Sequence, residues 1–335
     1  MTKQNNTVCC FGELLLRMAL PEDFTFNGAI PYYTGGAELN VATALSRWQV
    51  PVDYVTAIPD TYMCRQLAGH IEELGIGIKN ITYAGNRVGL YYLPLGLDVK
   101  NHGVIYDRAH SSFAGLEPGV INWDTVLEGC TRFHFSAISP ALNKNVALVC
   151  KEAVEAASKK GIIISADLNY RSKLWQYGEN PTDVMPELIQ YCDVLMGNIW
   201  AVESLLGIPS PVESSEGKTD DDLYKAALIS IDAIKKQFPK VKTVAFTFRL
   251  QDTYWALLQH NETSAKSHKH NVVDVADRVG SGDCFMAGLI YGLYHNNQPK
   301  DIINFAAAAA VGKLAEAGDT TNQTVEQVNK RIPNG

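Results

Sequence analysis

The sequence predicts an α/β fold in three layers, with a mainly parallel central sheet between helices and a small β-hairpin added to it. Two patterns carry this reading. Short apolar runs alternate with longer stretches whose apolar residues recur at helical spacing, as when crossover helices join parallel strands. One region, from about 87 to 113, breaks the alternation with two short strands around a turn. The chain has 335 residues, 46% hydrophobic and 19% charged, a composition able to bury a large core. No Pro/Gly/Ser-rich linker or charge block divides it, so one domain over 1–335 is expected, with an insertion at 87–113 joined by part of 14–34.

In chain order, strands are expected at 8–13, 53–58, 132–137, 162–167, 193–198 and 241–248, each a compact apolar run. Helices are expected between them at 37–48, 63–74, 145–160 and 220–238. In the inserted region, 88–93 and 104–106 read as strands flanking a Gly- and Asn-containing turn. They form either a plain extra hairpin or a lid over a ligand. Helices resume at 281–294 and 301–317, and the AAAAA run at 306–310 reads as a close-packing helix face.

Charge and composition exclude several functions. The formal net charge is -7, so no basic surplus is available for nucleic acid or an anionic membrane, and an anionic substrate would need a local cluster of Arg. The seven cysteines include no C-x-x-C pair and read as reduced core thiols. The start lacks the apolar segment of a secretory signal, and no apolar run reaches the ~18 residues that span a bilayer. A cytoplasmic protein without a membrane partner is expected.

The most informative segment runs from Val272 to Leu293. A β-rich stretch enters Gly280-Ser281-Gly282 and continues directly into an apolar-periodic helix. Glycines at such a junction let the backbone turn sharply and leave N–H groups free at a helix N-terminus, where the dipole favours anions. Asp283 follows immediately. It is either a general base beside a bound phosphate or an ordinary helix N-cap. Other nucleotide signatures fail: there is no G-x-x-x-x-G-K-[ST], no H-R-D or D-F-G, and no third glycine of a dinucleotide fingerprint.

Residues 277–285 resemble the D-x-x-G-x-G-D-x-F signature of ribokinase-like (PfkB) sugar kinases, and Gly35-Gly36-Ala37-Glu38-Leu39-Asn40-Val41-Ala42 resembles their first signature. The resemblance spans nearly the whole chain. It implies a ribokinase-like fold, ATP and Mg2+ as cofactors, and Asp283 as catalytic base beside the Gly280, Ser281 and Gly282 amides. It also implies sugar contacts from Gly35, Gly36 and Asn40, a substrate lid at 87–113, and a homo-oligomer.

Within the family the likeness is to 2-keto-3-deoxygluconate kinases. Residues 12–17 resemble their opening, with Arg17 where kinases of neutral sugars place an Asp, which implies Arg17 beside Arg108 and Arg171 around a substrate carboxylate. Residues 88–91 and 104–109 resemble their lid strands, which implies Tyr91, Tyr106 and Arg108 as substrate contacts. Residues 167–175 resemble their D-x-N-x-R-x-x-L-W, which implies Asp167, Asn169 and Arg171. Independently, guanidinium groups grip carboxylates with paired hydrogen bonds, although a single Arg is more often in a surface salt bridge. Asp167, Asn169 and Arg171 follow an apolar strand at the carboxyl edge, where open parallel sheets bind ligands. Tyr91 and Tyr92 must point to opposite faces of their strand, and the resemblance selects Tyr91.

Asn198, Thr247 and Arg249 fall where the family binds nucleotide, but with departures. The acids that usually follow the Asn are absent, leaving Glu203 as a nearby carboxylate, and Arg249 replaces the glycine of T-x-G. His268 and His270 alternate on an expected strand without further ligand candidates, and Asp220-Asp221-Asp222 reads as a helix start. The expected reaction is ATP-dependent phosphorylation of the terminal hydroxyl of a sugar acid. A fructokinase-like enzyme or a non-enzymatic sugar-acid sensor are the alternatives.

Overall fold

The computed structural model describes residues 6–21, 28–94 and 103–333. Successive residues of the strand Thr7–Phe11 enter different cores: Val8 and Cys10 pack on one side, Cys9 and Phe11 on the other, and all four are fully buried. A strand apolar on both faces has to be covered on both, and this one lies inside a nine-stranded sheet. From one edge the order is Val52–Val55, Thr7–Phe11, Cys130–Ser136, Ile163–Asp167, Val194–Gly197 and Thr243–Arg249, all parallel. Thr253–His260 and Thr263–Lys266 then continue antiparallel, and His270–Asn271 also pairs with Thr253–His260.

Helices Ala37–Arg47, Tyr62–Glu73, Ser281–Tyr294 and Pro299–Leu314 cover one face. Lys144–Lys159, Pro181–Ile189, Ile199–Leu206 and Asp220–Gln237 cover the other. Three layers result. In the second core Phe133 stands edge-on to Trp123 at 5.9 Å and stacks with Phe135 at 6.2 Å. Truncating such a ring to Ala costs about 3–5 kcal/mol.

Local chemistry explains the helix ends. Thr219 and Asp222 form a capping box before Asp220–Gln237, the three acids lie in its first turn, and Lys235 and Lys236 lie in its last. Helices Ser281–Tyr294 and Pro299–Leu314 pack closely because their contact residues are small. A Cβ on Gly288 would stand 2.7 Å from Ala306 Cα, and Ala306 to Ala310 are all fully buried.

A separate four-stranded sheet has the order Tyr32–Gly35, Leu15–Leu20, Gly89–Pro94, Ile105–Asp107. The central pair is parallel and both outer pairs are antiparallel. Register places Tyr33, Arg17, Tyr91 and Tyr106 in one row across it. Leu15–Leu20 and Gly89–Pro94 alternate buried with half-buried residues, so Leu15, Arg17 and Ala19 share an inward face with Gly89, Tyr91 and Leu93. The expected turn between the two hairpin strands falls largely outside the described residues.

Three expectations are corrected. The run 53–58 is two strands: Val52–Val55 joins the large sheet, while Ala57–Ile58 pairs with Thr82–Tyr83 in a sheet of its own. The first strand ends at Phe11, because Gly12 then admits the Glu38 carboxylate; a Cβ there would lie 1.9 Å from Glu38 Oε2. Only His270 of the two alternating histidines is on a strand, since His268 lies before it and donates its backbone N–H to Asn304. All seven cysteines are buried free thiols. Among the described residues no helix is long and apolar enough to cross a membrane.

Candidate active site

At the carboxyl ends of the parallel strands, beneath the inward face of the small sheet, lies a cavity of ≈ 430 Å³. Strands Ile163–Asp167 and Val194–Gly197 and the helix start at Ser281 supply one side; Tyr91, Tyr106 and Arg108 of the small sheet supply the other.

The glycine turn is built around a specific close approach. Gly280 has φ +78°, and a Cβ there would lie 1.9 Å from the Asp319 carbonyl oxygen, so a side chain is excluded twice over. Ser281 turns its hydroxyl away, donating to Ala310 O at 3.1 Å. A Cβ on Gly282 would meet nothing within 4 Å, which leaves its backbone open to the cavity. The first intrahelical bond is donated by Cys284 to Gly280 O at 2.8 Å, so the preceding amides have no helical acceptor. These amides and the helix dipole can hold an anion.

Asp283 is not the N-cap; Gly280 holds that position and caps without a side-chain bond. The carboxylate instead accepts a 2.6 Å hydrogen bond from Asn40 Nδ2. Burial raises its pKa, while Asn40, Arg171 and Lys313 oppose the rise by favouring the charged form. A buried carboxylate of raised basicity beside an anion-binding turn can accept a proton from a hydroxyl.

Gly36 has φ 135° at the start of helix Ala37–Arg47, with Glu13 O where a Cβ would go, and lines the cavity with Asn40. Gly35 does not line it. Its missing side chain makes room for the Asp319 carboxylate, 2.4 Å from where a Cβ would stand.

Glu13 was not singled out from the sequence, yet it fixes Arg108, whose Nε and Nη2 donate to Glu13 Oε2 at 2.6 and 2.5 Å. Ser111 donates to the other carboxylate oxygen, and both charged residues are buried. Tyr91 faces the cavity and donates to Asp319 Oδ2 at 2.6 Å, whereas Tyr92 lies on the opposite face.

Asp167, Asn169 and Arg171 all reach the cavity wall, with Lys173 beside them. Asn198, Thr247 and Arg249 line it too. Asn198 Oδ1 is engaged as the cap of helix Ile199–Leu206, accepting from Trp200 and Ala201 N–H groups. Glu203 is exposed and absent from the wall. Among the described residues no group of His, Cys, Asp and Glu could by itself hold a metal ion.

Arg17 does not join Arg108 and Arg171 around a common ligand. It is 2% exposed, paired with Asp277 and Asp319, and does not line the cavity. Arg278, an unspecified position of the motif, does line it. Thus a chain of net charge -7 gathers Arg108, Arg171, Lys173, Arg249 and Arg278 around one cavity, against Asp167, Asp283 and Asp319. Asp319 had no local signal; it follows the last long helix and enters the site only through long-range packing.

A glycine turn with open amides, a buried carboxylate beside it and a cation-rich cavity fit a phosphotransferase acting on a small molecule. The model of the pfkB family carbohydrate kinases matches residues 5–325, and the chain belongs to that family. It is 28% identical over 330 residues to a 2-dehydro-3-deoxygalactonokinase of Haloferax volcanii, covering 97% of this chain and 96% of the relative. Fructokinase-2 of Solanum lycopersicum is 25% identical over 292 residues, covering 85% and 82%. Among solved structures, a 2-dehydro-3-deoxygluconokinase from Thermotoga maritima superposes with a TM-score of 0.87 at 31% identity, covering 97% of this chain and 98% of that one. The chain is therefore a carbohydrate kinase with a ribokinase-like fold.

Proposed function

We propose that the chain phosphorylates the terminal hydroxyl of a 2-keto-3-deoxy sugar acid, 2-keto-3-deoxygluconate first, with ATP as donor. The observation that carries this reading is the pair Arg108 and Arg171 on the cavity wall, since the nucleotide accounts for Arg249 and Arg278 but a neutral sugar gives no reason for two further guanidinium groups. Arg171, half-buried and close enough to Asp283 to lower its pKa, is assigned to the substrate carboxylate with Arg108. The names of the relatives from Haloferax volcanii and Thermotoga maritima support the same substrate class.

In the mechanism, Asn40, Gly36, Asp167 and Asn169 orient the sugar hydroxyls, and Tyr91 and Tyr106 close over them. Asp283 takes the proton of the terminal hydroxyl as that oxygen attacks the γ-phosphoryl group. The Gly280-Ser281-Gly282 amides and helix dipole stabilise the charge that develops, and Arg249 and Arg278 lie on the nucleotide side. No covalent enzyme intermediate is required. Mg2+ would neutralise phosphate charge when bound; since no group of His, Cys, Asp and Glu among the described residues could hold it alone, it would be carried with the nucleotide phosphates and water. The strands Gly89–Pro94 and Ile105–Asp107 act as a lid that excludes water from the transfer.

Assaying phosphorylation over a panel of keto-deoxy acids and neutral hexoses tests the reading. Preference for a 2-keto-3-deoxy acid is expected. Preference for fructose or ribose would end the acid-sugar assignment and leave the carbohydrate kinase intact.

A further inference from the structure

The polar side chains beneath the small sheet are connected more extensively than proton transfer at Asp283 requires. Arg17 donates from Nη1 and Nη2 to the two Asp277 oxygens at 3.1 and 2.5 Å, and its Nε lies 2.8 Å from Asp319 Oδ1. Its guanidinium also lies 4.6 Å from the centre of the Tyr33 ring. The neighbouring strand contributes Tyr91, paired in register with Arg17 and bonded to the other Asp319 oxygen. Two adjacent side chains of the small sheet thus end on two buried carboxylates outside it.

The residues that carry them both abut the glycine turn, Asp277 through its carboxylate and Asp319 through its main chain. Asp277 opens that segment; its Oδ1 accepts from Val279 N–H at 3.0 Å and its Oδ2 from Gly318 N–H at 3.1 Å, tying the turn to the loop that follows helix Pro299–Leu314. That loop returns at Asp319, whose carbonyl occupies the space a Gly280 side chain would need. Moving Asp319 therefore moves the support under Gly280. A cation held by two carboxylates and kept from the cavity wall has no free donor geometry for substrate, so Arg17 needs another role.

We infer that Arg17, Asp277, Asp319 and Tyr91 form a positioning relay that couples the placement of the small sheet to the shape of the phosphate-binding turn, so that sugar binding improves the nucleotide site. The relay rests on phosphoryl transfer at the Asp283 cavity but not on which sugar is accepted. It also gives Gly35 a purpose the sugar contacts do not, since that glycine leaves room for the Asp319 carboxylate.

The test is the coupling between two ligands. Affinity for a nonhydrolysable ATP analogue is measured with and without the sugar that the wild-type protein turns over fastest, in wild type, Arg17→Lys, Asp319→Asn and Tyr91→Phe. Wild type should bind the analogue about 5- to 150-fold tighter with sugar present. Each variant should bring that ratio towards one, and Arg17→Lys combined with Asp319→Asn should be no worse than the more severe single change. Tyr91→Phe removes one hydroxyl and keeps the test open if the charge variants fold poorly. Coupling retained in the folded variants, with only thermal stability lowered, would make the cluster a structural staple and overturn the relay. So would a wild-type ratio near one, or a loss of sugar affinity in Arg17→Lys with coupling unchanged. Failure of the sugar-acid reading would appear separately, in the identity of the preferred sugar.

Discussion

Asn40 and Asp283 belong to the first and last glycine-rich segments of the chain and meet in a 2.6 Å hydrogen bond from the Asn amide to the carboxylate. The bond favours the ionised carboxylate, which burial disfavours. Asn40→Ala should therefore raise the Asp283 pKa further. Because the base acts when deprotonated, the rising limb of kcat/KM against pH should move to higher pH in this variant. A pH–rate profile with an unmoved limb would contradict the pairing.

Arg108 and Arg171 should separate in their effects on stability. Arg171→Ala is expected to reduce kcat/KM for the sugar acid by about 10- to 1000-fold, roughly 1.4–4 kcal/mol of transition-state stabilisation, with little change in Tm. Arg108→Ala should lose comparable activity and also lower Tm, because it leaves Glu13 buried without its cation. Steady-state kinetics and thermal melts on both variants check this.

Glu38 makes the fold sensitive to pH from inside. Burial pushes its pKa up to about 7 against the pull of hydrogen bonds from Ser136, and burial likewise raises Asp319 to about 6. Both folded pKa values exceed those of the unfolded chain, so the native state binds more protons and this contribution to stability is lost as pH rises through the folded values. Glu38→Gln keeps an acceptor for Ser136 and should flatten the decline in Tm between about pH 4.5 and 7.5 relative to wild type.

The small sheet should respond to ligands. Amide hydrogen exchange in 89–94 and 105–107 is expected to slow when substrate and a nonhydrolysable ATP analogue are both bound. Unchanged protection would argue against closure.

The parallel part of the large sheet was legible because its strands are short and mainly apolar, and the helix at 281–294 because its glycine turn and apolar period are adjacent in sequence; the antiparallel strands Thr253–His260 and Thr263–Lys266 were not expected. Apolar continuity could not show that 53–58 divides between two sheets, since Ala57 and Ile58 are as buried as Tyr54 and Val55. The motif residues Asn40, Asp167, Asn169, Arg171 and Asp283 all line one cavity. What the sequence concealed were the partners: Glu13 for Arg108, and Asp277 and Asp319 for Arg17. Those pairings join residues far apart in the chain, and a charge in isolation looks the same whether it meets a ligand or an internal counter-ion.

The most direct test of Asp283 as the base is the turnover of Asp283→Asn on the best substrate, with folding checked by thermal melt and binding by titration with the sugar. Asn is nearly isosteric and can bond Asn40 but cannot take the proton. The expected result is a folded protein that binds sugar and ATP with kcat lowered by about 10²- to 10⁴-fold. Turnover near that of the wild type would contradict the assignment.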